Sequence, residues 1–295
     1  MKKAKWLLET ALVVALSFPL AVLPRRTAVK VGELLGLFLC SVWSGRRRIA
    51  LDNIGRALPF LNGNRTAEGL ARGTFRNLGR SVVEIVRIYY GREGGIIDAV
   101  EIRGREHYHA ARQKGRGVLF ITGHCGNWEL LALAFGRSMG AFAAVARAQN
   151  NPYLNRIVER ARASFGNAVL YKRGALKGIL SRLSKGETVG ILIDQAVVKE
   201  EGVVVDFLGR GAWTMKTPAL IARKTGAAVL PAFIHREGGG HVITIFPEVA
   251  LSRQEETEKA VREDTETFSR YIEDYVRQHP DEWLWIHRRW KRAPQ

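Results

Sequence analysis

The chain has 295 residues, enough for one α/β domain with helical additions or for two domains. Lysine and arginine number 46 against 28 acidic residues, which gives a net charge of +18 spread along the whole chain. We therefore expect anionic partners. Zinc-ligand spacing, an aromatic RNA-binding signature and a clear helix-turn-helix pattern are all missing from the sequence, so it favours an anionic membrane surface over nucleic acid. The two cysteines, Cys40 and Cys125, predict no disulfide framework and favour a reducing, cytoplasm-facing location.

The N-terminal region predicts membrane attachment. Residues 6–23 are nearly all apolar, and basic residues flank them on both sides. Their length is borderline for a span, and residues 31–43 add a shorter apolar stretch. The flanking charges give no direction for a crossing, so an interfacial or shallow hairpin anchor fits as well as one span.

We considered two other interpretations of residues 6–23, and the first of them is not favoured. A secretory signal would need a small-x-small cleavage site before Arg25, which is absent. A buried core helix of a soluble protein has a similar composition. We divide the chain into a membrane anchor or interfacial helices over residues 1–45 and an α/β domain over residues 46–295.

The sequence pattern changes near residue 98, from helical periodicity to alternating strands and helices. Residues 46–90 show helical periodicity, with Thr66 predicted to cap the longer helix and Gly91 to end it. Beyond residue 98, short β-branched runs alternate with helical patterns. Strands are predicted at 99–102, 117–122, 141–146, 188–193, 203–207, 228–234 and 242–246, and helices at 128–139, 152–165, 174–184, 214–225 and 255–278. This alternation predicts an α/β sheet covered by helices.

The most informative stretch is GVLFITGHCGNWELLALAF. An apolar strand enters a glycine-bracketed turn and then a helix for which Asn127 is a natural N-cap. This places His124 and Glu129 at the carboxyl end of a strand, where ligands of open α/β sheets bind. Glu129 is expected to accept a hydrogen bond from one imidazole nitrogen, leaving the other free to take a hydroxyl proton.

Competing explanations of this stretch are structural. Glu129 could simply interact favourably with the helix dipole at the N-terminus of the helix. Cys125 invites a Cys–His nucleophile, but neighbouring side chains in an extended turn point apart. A metal site is not predicted, because the histidines lack paired ligand spacing beyond His107 and His109, which we place at a solvated helix start.

The segment GHCGNWEL resembles the His-x-x-x-x-Asp/Glu block of glycerolipid acyltransferases, in the form of the lipid A late acyltransferase family and related mannoside acyltransferases. The resemblance continues over nearly the whole chain. Its later segments are ARAQNNPYLNRIVERAR, GILIDQ, FLG at 207–209, TGAAVLPAF at 225–233 and HPDEWLWIHRRWK. It implies a mixed central sheet covered by helices, as in glycerolipid acyltransferases, with membrane-attached helices at the N-terminus.

The resemblance also implies roles for individual residues. His124 would deprotonate an acceptor hydroxyl, and Glu129 would support it. The residues expected to bind substrates are Asn127, Arg147, Asn150, Asp194 and Gln195. Arg147 would reach the cleft of His124 if successive strands are neighbours in the sheet, whereas the C-terminal Trp, His and Arg cluster is expected to serve packing.

The implied reaction is acyl transfer from a thioester of acyl carrier protein or coenzyme A to a membrane glycolipid hydroxyl, most simply a lipid A precursor. It needs no cofactor and no metal, and it places the protein on the cytoplasmic face of a bacterial inner membrane. Alternatives are acylation of another glycolipid such as a phosphatidylinositol mannoside, hydrolysis of the acyl donor, and a basic protein that binds anionic lipid without turnover.

Overall fold

Four helices precede the first strand in the computed structural model, which describes residues 2–61, 65–92, 95–172 and 174–291. The helices are α1 (Lys2–Val22), α2 (Arg25–Val42), α3 (Ser44–Ala57), α4 (Ala67–Tyr89), α5 (Arg105–Gln113), α6 (Trp128–Met139), α7 (Pro152–Arg162), α8 (Ala175–Ser184), α9 (Thr217–Thr225) and α10 (Thr257–Gln278). The strands are β1 (Glu101–Arg103), β2 (Val118–Thr122), β3 (Ala143–Ala146), β4 (Ala168–Tyr171), β5 (Thr188–Leu192), β6 (Gly202–Asp206), β7 (Gly211–Met215), β8 (Ala228–Glu237) and β9 (Gly240–Ile245).

Seven strands form one mixed sheet in the order β1-β9-β8-β2-β5-β3-β4. The strands from β8 to β4 are parallel to their neighbours, whereas β9 turns back antiparallel to β8 and carries β1 parallel to itself. The expected α/β fold with a mixed, helix-covered sheet is confirmed. The parallel part aligns the carboxyl ends of β2, β5 and β3 along one edge, where the candidate site lies.

Local signals located most elements, and two strands were missed. Thr66 caps α4 by accepting a hydrogen bond from the Gly69 amide at 3.1 Å, as predicted. The predicted strand at 203–207 forms β6, but it pairs with β7 in a separate two-stranded hairpin. The helix predicted from residue 214 begins at Thr217, because 211–215 is strand β7. Strand β4 was also missed.

Apolar side chains cover both faces of the sheet. On one face, Tyr108 of α5, Phe120 of β2 and Phe135 of α6 form an aromatic cluster with ring centroids 5.0 to 5.8 Å apart. The other face is packed by α8, α9, α10 and the C-terminal segment, residues 279–291, whose Trp283 and Trp285 are fully buried. This second core holds the C-terminal segment against the end of β2.

Helix α2 lies along α4 through glycine contacts. A Cβ atom at Gly36 would stand 2.1 Å from the Phe75 carbonyl oxygen, and one at Gly32 would stand 2.6 Å from the Gly79 carbonyl oxygen. Only hydrogen side chains permit this backbone approach. Helix α2, which lies before the predicted boundary at residue 45, is therefore packed against α4, which lies after it.

Helix α1 has the length and composition of a membrane span. Its 21 residues measure about 31 Å at the helical rise, close to the thickness of a bilayer hydrocarbon core. The most apolar 18-residue stretch of α1 has a mean hydropathy of 1.6, and only 6% of that stretch is buried. Helices α2 and α3 meet at a bend of 90°. The expected N-terminal apolar helix is therefore present, and most of its side chains are exposed.

Candidate active site

The registers of β2 and β5 bring His124 and Asp194 together. The two strands are parallel, with Thr122 opposite Leu192 at their carboxyl ends. His124 and Asp194 each lie two residues beyond that pair, so both emerge at the same edge of the sheet. Ile193 continues the ladder by donating its amide to the Thr122 carbonyl at 2.9 Å. The sequence places these residues 70 positions apart, and only strand pairing makes them neighbours.

The His124 imidazole is hydrogen-bonded to a buried carboxylate. Its Nδ1 lies 2.8 Å from Asp194 Oδ1, and the His124 backbone amide donates to Asp194 Oδ2 at 2.8 Å. Burial alone would raise the pKa of the Asp194 carboxyl, but the charge and hydrogen bonds of His124 hold it well below its usual range. Burial would likewise lower the pKa of His124, and the Asp194 charge and hydrogen bond reverse this and raise it.

The ionised carboxylate fixes the imidazole tautomer. Since Asp194 Oδ1 only accepts, Nδ1 carries the ring proton and Nε2 of the neutral ring carries the lone pair that can accept a proton. The amide nitrogen of exposed Gln195 lies 3.2 Å from Nε2. A base with its proton-accepting nitrogen at an accessible edge of the sheet suits proton abstraction from a hydroxyl.

The C-terminal segment supports this pair directly. Trp283 donates its indole N–H to Asp194 Oδ2 at 2.9 Å, and the Leu284 amide donates to the His124 carbonyl at 3.1 Å. His287 Nε2 lies 3.3 Å from the Asp194 carbonyl oxygen. The expected packing role of the C-terminal cluster is therefore incomplete, because two of its side chains contact the partner of His124.

The turn after His124 depends on Gly126 and Asn127. Gly126 has φ +55°, and a Cβ atom there would stand 2.1 Å from the Ile234 carbonyl oxygen. Asn127 caps α6, as predicted, by accepting from the Leu130 amide at 3.2 Å. It also donates to Glu84 Oε2 at 2.9 Å, and its side chain is buried. Both polar side-chain atoms of Asn127 are thus hydrogen-bonded within the protein.

The expected hydrogen bond between His124 and Glu129 is absent, and that expectation was wrong. Both Glu129 oxygens pair with the Arg162 guanidinium of α7, one of them at 2.9 Å. Glu129 acts on His124 only as a nearby charge that adds to the rise of its pKa. The physical reason is that α6 begins at Trp128, so its first turn carries Glu129 toward α7 while Asp194 takes the imidazole.

Arg147 and Asn150 are exposed on the loop that follows β3. The expectation that successive strands are neighbours was wrong here, because β5 separates β2 from β3. Both residues still lie beyond the carboxyl end of a parallel strand, at the same edge of the sheet as His124. Asn151, which follows them, caps α7 and bonds to Trp6 and Thr10 of α1, so the loop also contacts the N-terminal helix.

An apolar cavity of about 40 Å³ lies next to the candidate base. Its wall includes Trp128, whose ring centroid is 5.1 Å from that of His124, and Thr122 at the end of β2. The remaining lining is apolar: Phe120, Leu131, Ala132, Phe135, Phe142, Ala144, Gly190, Leu192, Ala232 and Ile243. The cavity therefore lies between the sheet and α6, and Trp128 is the lining residue that packs against the imidazole.

A family model described as bacterial lipid A biosynthesis acyltransferase matches residues 2–292. The chain belongs to this family. It is 26% identical over 278 residues, 92% of its length and 87% of the relative's, to an Escherichia coli lipid A biosynthesis palmitoleoyltransferase. It is also 28% identical over 177 residues, 59% of its length and 57% of the relative's, to a Mycolicibacterium smegmatis phosphatidylinositol mannoside acyltransferase. The protein is thus an acyltransferase, as the sequence motifs indicated.

Cys125 follows His124 directly in the chain, but its side chain does not face the cleft. Its side chain is buried, and burial raises the pKa of the thiol well above its usual value. A thiol in that state is a poor nucleophile. Within the described ranges, no group of three or more His, Cys, Asp or Glu residues is arranged to hold a metal ion.

Sequence reasoning missed three side chains near the site: Trp283, His287 and Arg162. It also gave Asp194 to substrate binding, whereas the structure pairs it with the imidazole. One signal for Asp194 was available. A carboxylate that directly follows the buried run ILI must be paired, because an isolated charge at a strand end is costly to bury.

Proposed function

We propose that this acyltransferase moves a fatty acyl chain from an acyl thioester to a hydroxyl of a membrane glycolipid, with His124 Nε2 as general base. The hydrogen bond from Nδ1 to the Asp194 carboxylate carries the proposal. It leaves Nε2 as the accepting nitrogen and stabilises the imidazolium that forms when the proton is taken. An orienting carboxylate behind a histidine base is a recurring catalytic arrangement.

The reaction balances with this one base. The acceptor hydroxyl oxygen attacks the thioester carbonyl carbon while Nε2 takes the hydroxyl proton. The tetrahedral oxyanion then collapses, the carbon–sulfur bond breaks, and the leaving thiolate takes the proton back from His124. Because a thioester is already activated, we propose that no covalent enzyme intermediate and no cofactor is required.

Only the first carbons of the donor's acyl chain are proposed to enter the apolar cavity beside Trp128, because its volume of about 40 Å³ cannot hold a whole fatty acyl chain. A hydrocarbon chain there would replace water along a lining that is almost wholly apolar, which is the favourable direction for transfer. Its thioester carbonyl would then remain near His124, because the ring of Trp128 contacts the imidazole. The donor is proposed to be acyl carrier protein or coenzyme A, both anionic and both matched to the positive charge of the chain.

The proposed acceptor is a lipid A precursor, and the names of the relatives that match most of this chain support it. Three relatives with shorter matches are phosphatidylinositol mannoside acyltransferases, so a mannosylated phospholipid is the second candidate. Both acceptors are glycolipids with a free sugar hydroxyl at a membrane surface. The proposed mechanism is the same for either.

We propose that the enzyme works at the cytoplasmic face of a bacterial inner membrane. Support comes from the apolar surface of α1 and α2, from the positive charge, and from the cytoplasmic origin of both candidate donors. The division into an N-terminal anchor over residues 1–45 and a catalytic domain from residue 46 remains part of this proposal.

Among the other predicted site residues, Gln195 is proposed to orient Nε2 or the incoming hydroxyl, since its amide lies within hydrogen-bond distance of that nitrogen. Arg147 and Asn150 are proposed to contact the acceptor from the β3 loop. Glu129 is proposed to hold α6 against α7, and Asn127 to hold the catalytic turn.

The test is acyl transfer by the purified full chain from a labelled acyl thioester to a lipid A precursor or a phosphatidylinositol mannoside, with products identified by mass spectrometry. His124→Ala should lower turnover by about 10²- to 10⁴-fold while the fold is kept. His109→Ala, an exposed histidine of α5, is the matched control. Free fatty acid without acylated product would indicate a hydrolase, and no turnover with either acceptor would indicate a lipid-binding protein.

A further inference from the structure

A basic cleft lies between α3 and the C-terminal segment. We define the basic cleft by its five cationic side chains: Arg48, Arg56, Arg210, Arg288 and Lys291. Its volume is about 390 Å³, and Ile49, Asp52, Asn53 and Trp290 complete its lining. Two of the five come from α3, one from the β6–β7 turn and two from the C-terminal segment, so the fold gathers them from three separate parts of the chain.

The charges of this cleft are not balanced within the described part of the chain. Asp52 is the one acidic residue of the lining, and it pairs with Arg56 at 2.7 Å. Arg48, Arg210, Arg288 and Lys291 make no ion pair with a described carboxylate. Like charges held in one concave surface repel each other and raise the local positive potential. An anionic ligand would relieve this repulsion.

The basic cleft continues, through a second cavity, as far as His287. A second cavity of about 450 Å³ shares Ile49 and Arg288 with it and is also lined by Arg46 and His287. His287 contacts the Asp194 carbonyl, and its ring centroid lies 6.4 Å from that of His124. A ligand with an anionic group in the basic cleft can therefore extend along His287 toward the base.

The same path borders the apolar surface of α2. Trp43, at the bend between α2 and α3, lines the second cavity and is 46% exposed. Phe38 and Val42, on the last turns of α2, are 61% and 57% exposed. The basic cleft thus follows directly on an apolar surface, as the phosphate layer of a membrane follows its hydrocarbon layer. This position suits a lipid headgroup better than a soluble donor.

We propose that the basic cleft binds a phosphate group of the membrane-bound acceptor and thereby sets which hydroxyl reaches His124 Nε2. The guanidinium groups of Arg48, Arg210 and Arg288 offer the planar paired donors that phosphate oxygens accept. The proposal rests on the proposed function for its consequence, the choice of hydroxyl. The phosphate binding itself does not require turnover and can be measured separately.

The kinetic test uses the full chain with Arg48→Gln and Arg288→Gln combined, and acceptor and donor varied in turn. The acceptor KM should rise about tenfold or more, since a lost charge-assisted hydrogen bond commonly costs that factor, while kcat and the donor KM stay near wild type. Arg253→Gln, an exposed arginine of the loop before α10 and outside the cleft, is the matched control. Arg48→Lys combined with Arg288→Lys should recover part of the acceptor affinity.

The binding test uses His124→Ala protein, which needs no turnover, and phosphatidylcholine vesicles that contain phosphatidic acid or, at matched surface charge, phosphatidylglycerol. The leading acceptor, a lipid A precursor, carries phosphate monoesters. Phosphatidic acid, also a phosphate monoester, should therefore bind more tightly, and the double Gln variant should lose that preference. The proposal fails if only the donor KM rises, if Arg253→Gln has an equal effect, or if the preference persists in the double variant. If acyl transfer itself is absent, the vesicle result still decides the phosphate site.

Discussion

Replacing Asp194 by asparagine should disable His124 through its tautomer. Asp194 Oδ2 accepts from the His124 backbone amide and from the Trp283 indole, while Oδ1 faces His124 Nδ1. The amide oxygen of asparagine must take the position that faces two donors. Its NH₂ group then points at Nδ1 and donates to it, so the ring proton moves to Nε2. A ring protonated at Nε2 cannot accept the hydroxyl proton.

The expected loss is that of a general base. We expect kcat of Asp194→Asn to fall by about 10²- to 10⁴-fold, which corresponds to about 3 to 5 kcal/mol of transition-state free energy. The fold should survive, because asparagine has the same shape and keeps two of the three accepted hydrogen bonds. The acceptor KM should change little, since Asp194 is buried beneath the imidazole.

The pH dependence gives a second readout of the same pair. The neutral ring is the active form, so kcat falls as pH decreases through the pKa of His124. That pKa is raised by Asp194 above the ordinary 6.5 of histidine, so the wild-type acidic limb should lie above that value. In Asp194→Asn the raising charge is gone while burial remains, and the residual activity should show its acidic limb at lower pH.

Steady-state kinetics from pH 5 to 9, with thermal unfolding as the fold control, would check both expectations over the range in which histidine titrates, about two units on either side of neutrality. The reasoning is refuted if Asp194→Asn remains folded with more than about a tenth of wild-type kcat. An unchanged acidic limb would also contradict it, because the carboxylate would then not control the imidazole.

Glu129→Gln should lower the free energy of unfolding by about 1–2 kcal/mol, because the ion pair with Arg162 is lost. Its kcat should stay within about tenfold of wild type, and a loss of about a thousandfold would show that Glu129 takes part in catalysis. Gly36→Ala should lower the unfolding free energy by roughly 1–3 kcal/mol, because its Cβ meets the backbone of α4. Gly55→Ala, at an open position of α3, should leave stability unchanged or raise it by about 0.5–1 kcal/mol; equal effects in thermal unfolding would contradict the packing argument. Cys125→Ala should keep kcat near wild type at a cost of about 1 kcal/mol in stability, and a folded but inactive variant would speak for a thiol role.

The sequence by itself determined the fold class, the family resemblance, the apolar N-terminal helix and the position of His124. These features depend on local patterns: periodicity, the cap at Asn127, the glycine-bracketed turn and contiguous motifs. Each of these patterns is made of residues that are contiguous in the chain, so the sequence is enough to recognise it.

The partner of His124 was decided by tertiary structure. Glu129 is five residues away in sequence, yet Asp194, 70 residues away, holds the imidazole. The choice follows from the register of β2 and β5, which is set by hydrogen bonding between strands and by burial of both faces. Likewise, β5 separates β3 from β2, and Trp283 of the C-terminal segment donates a hydrogen bond to the Asp194 carboxylate. Such long-range pairings bring together residues whose local sequence does not specify a partner, and for that reason they appear only in the folded chain.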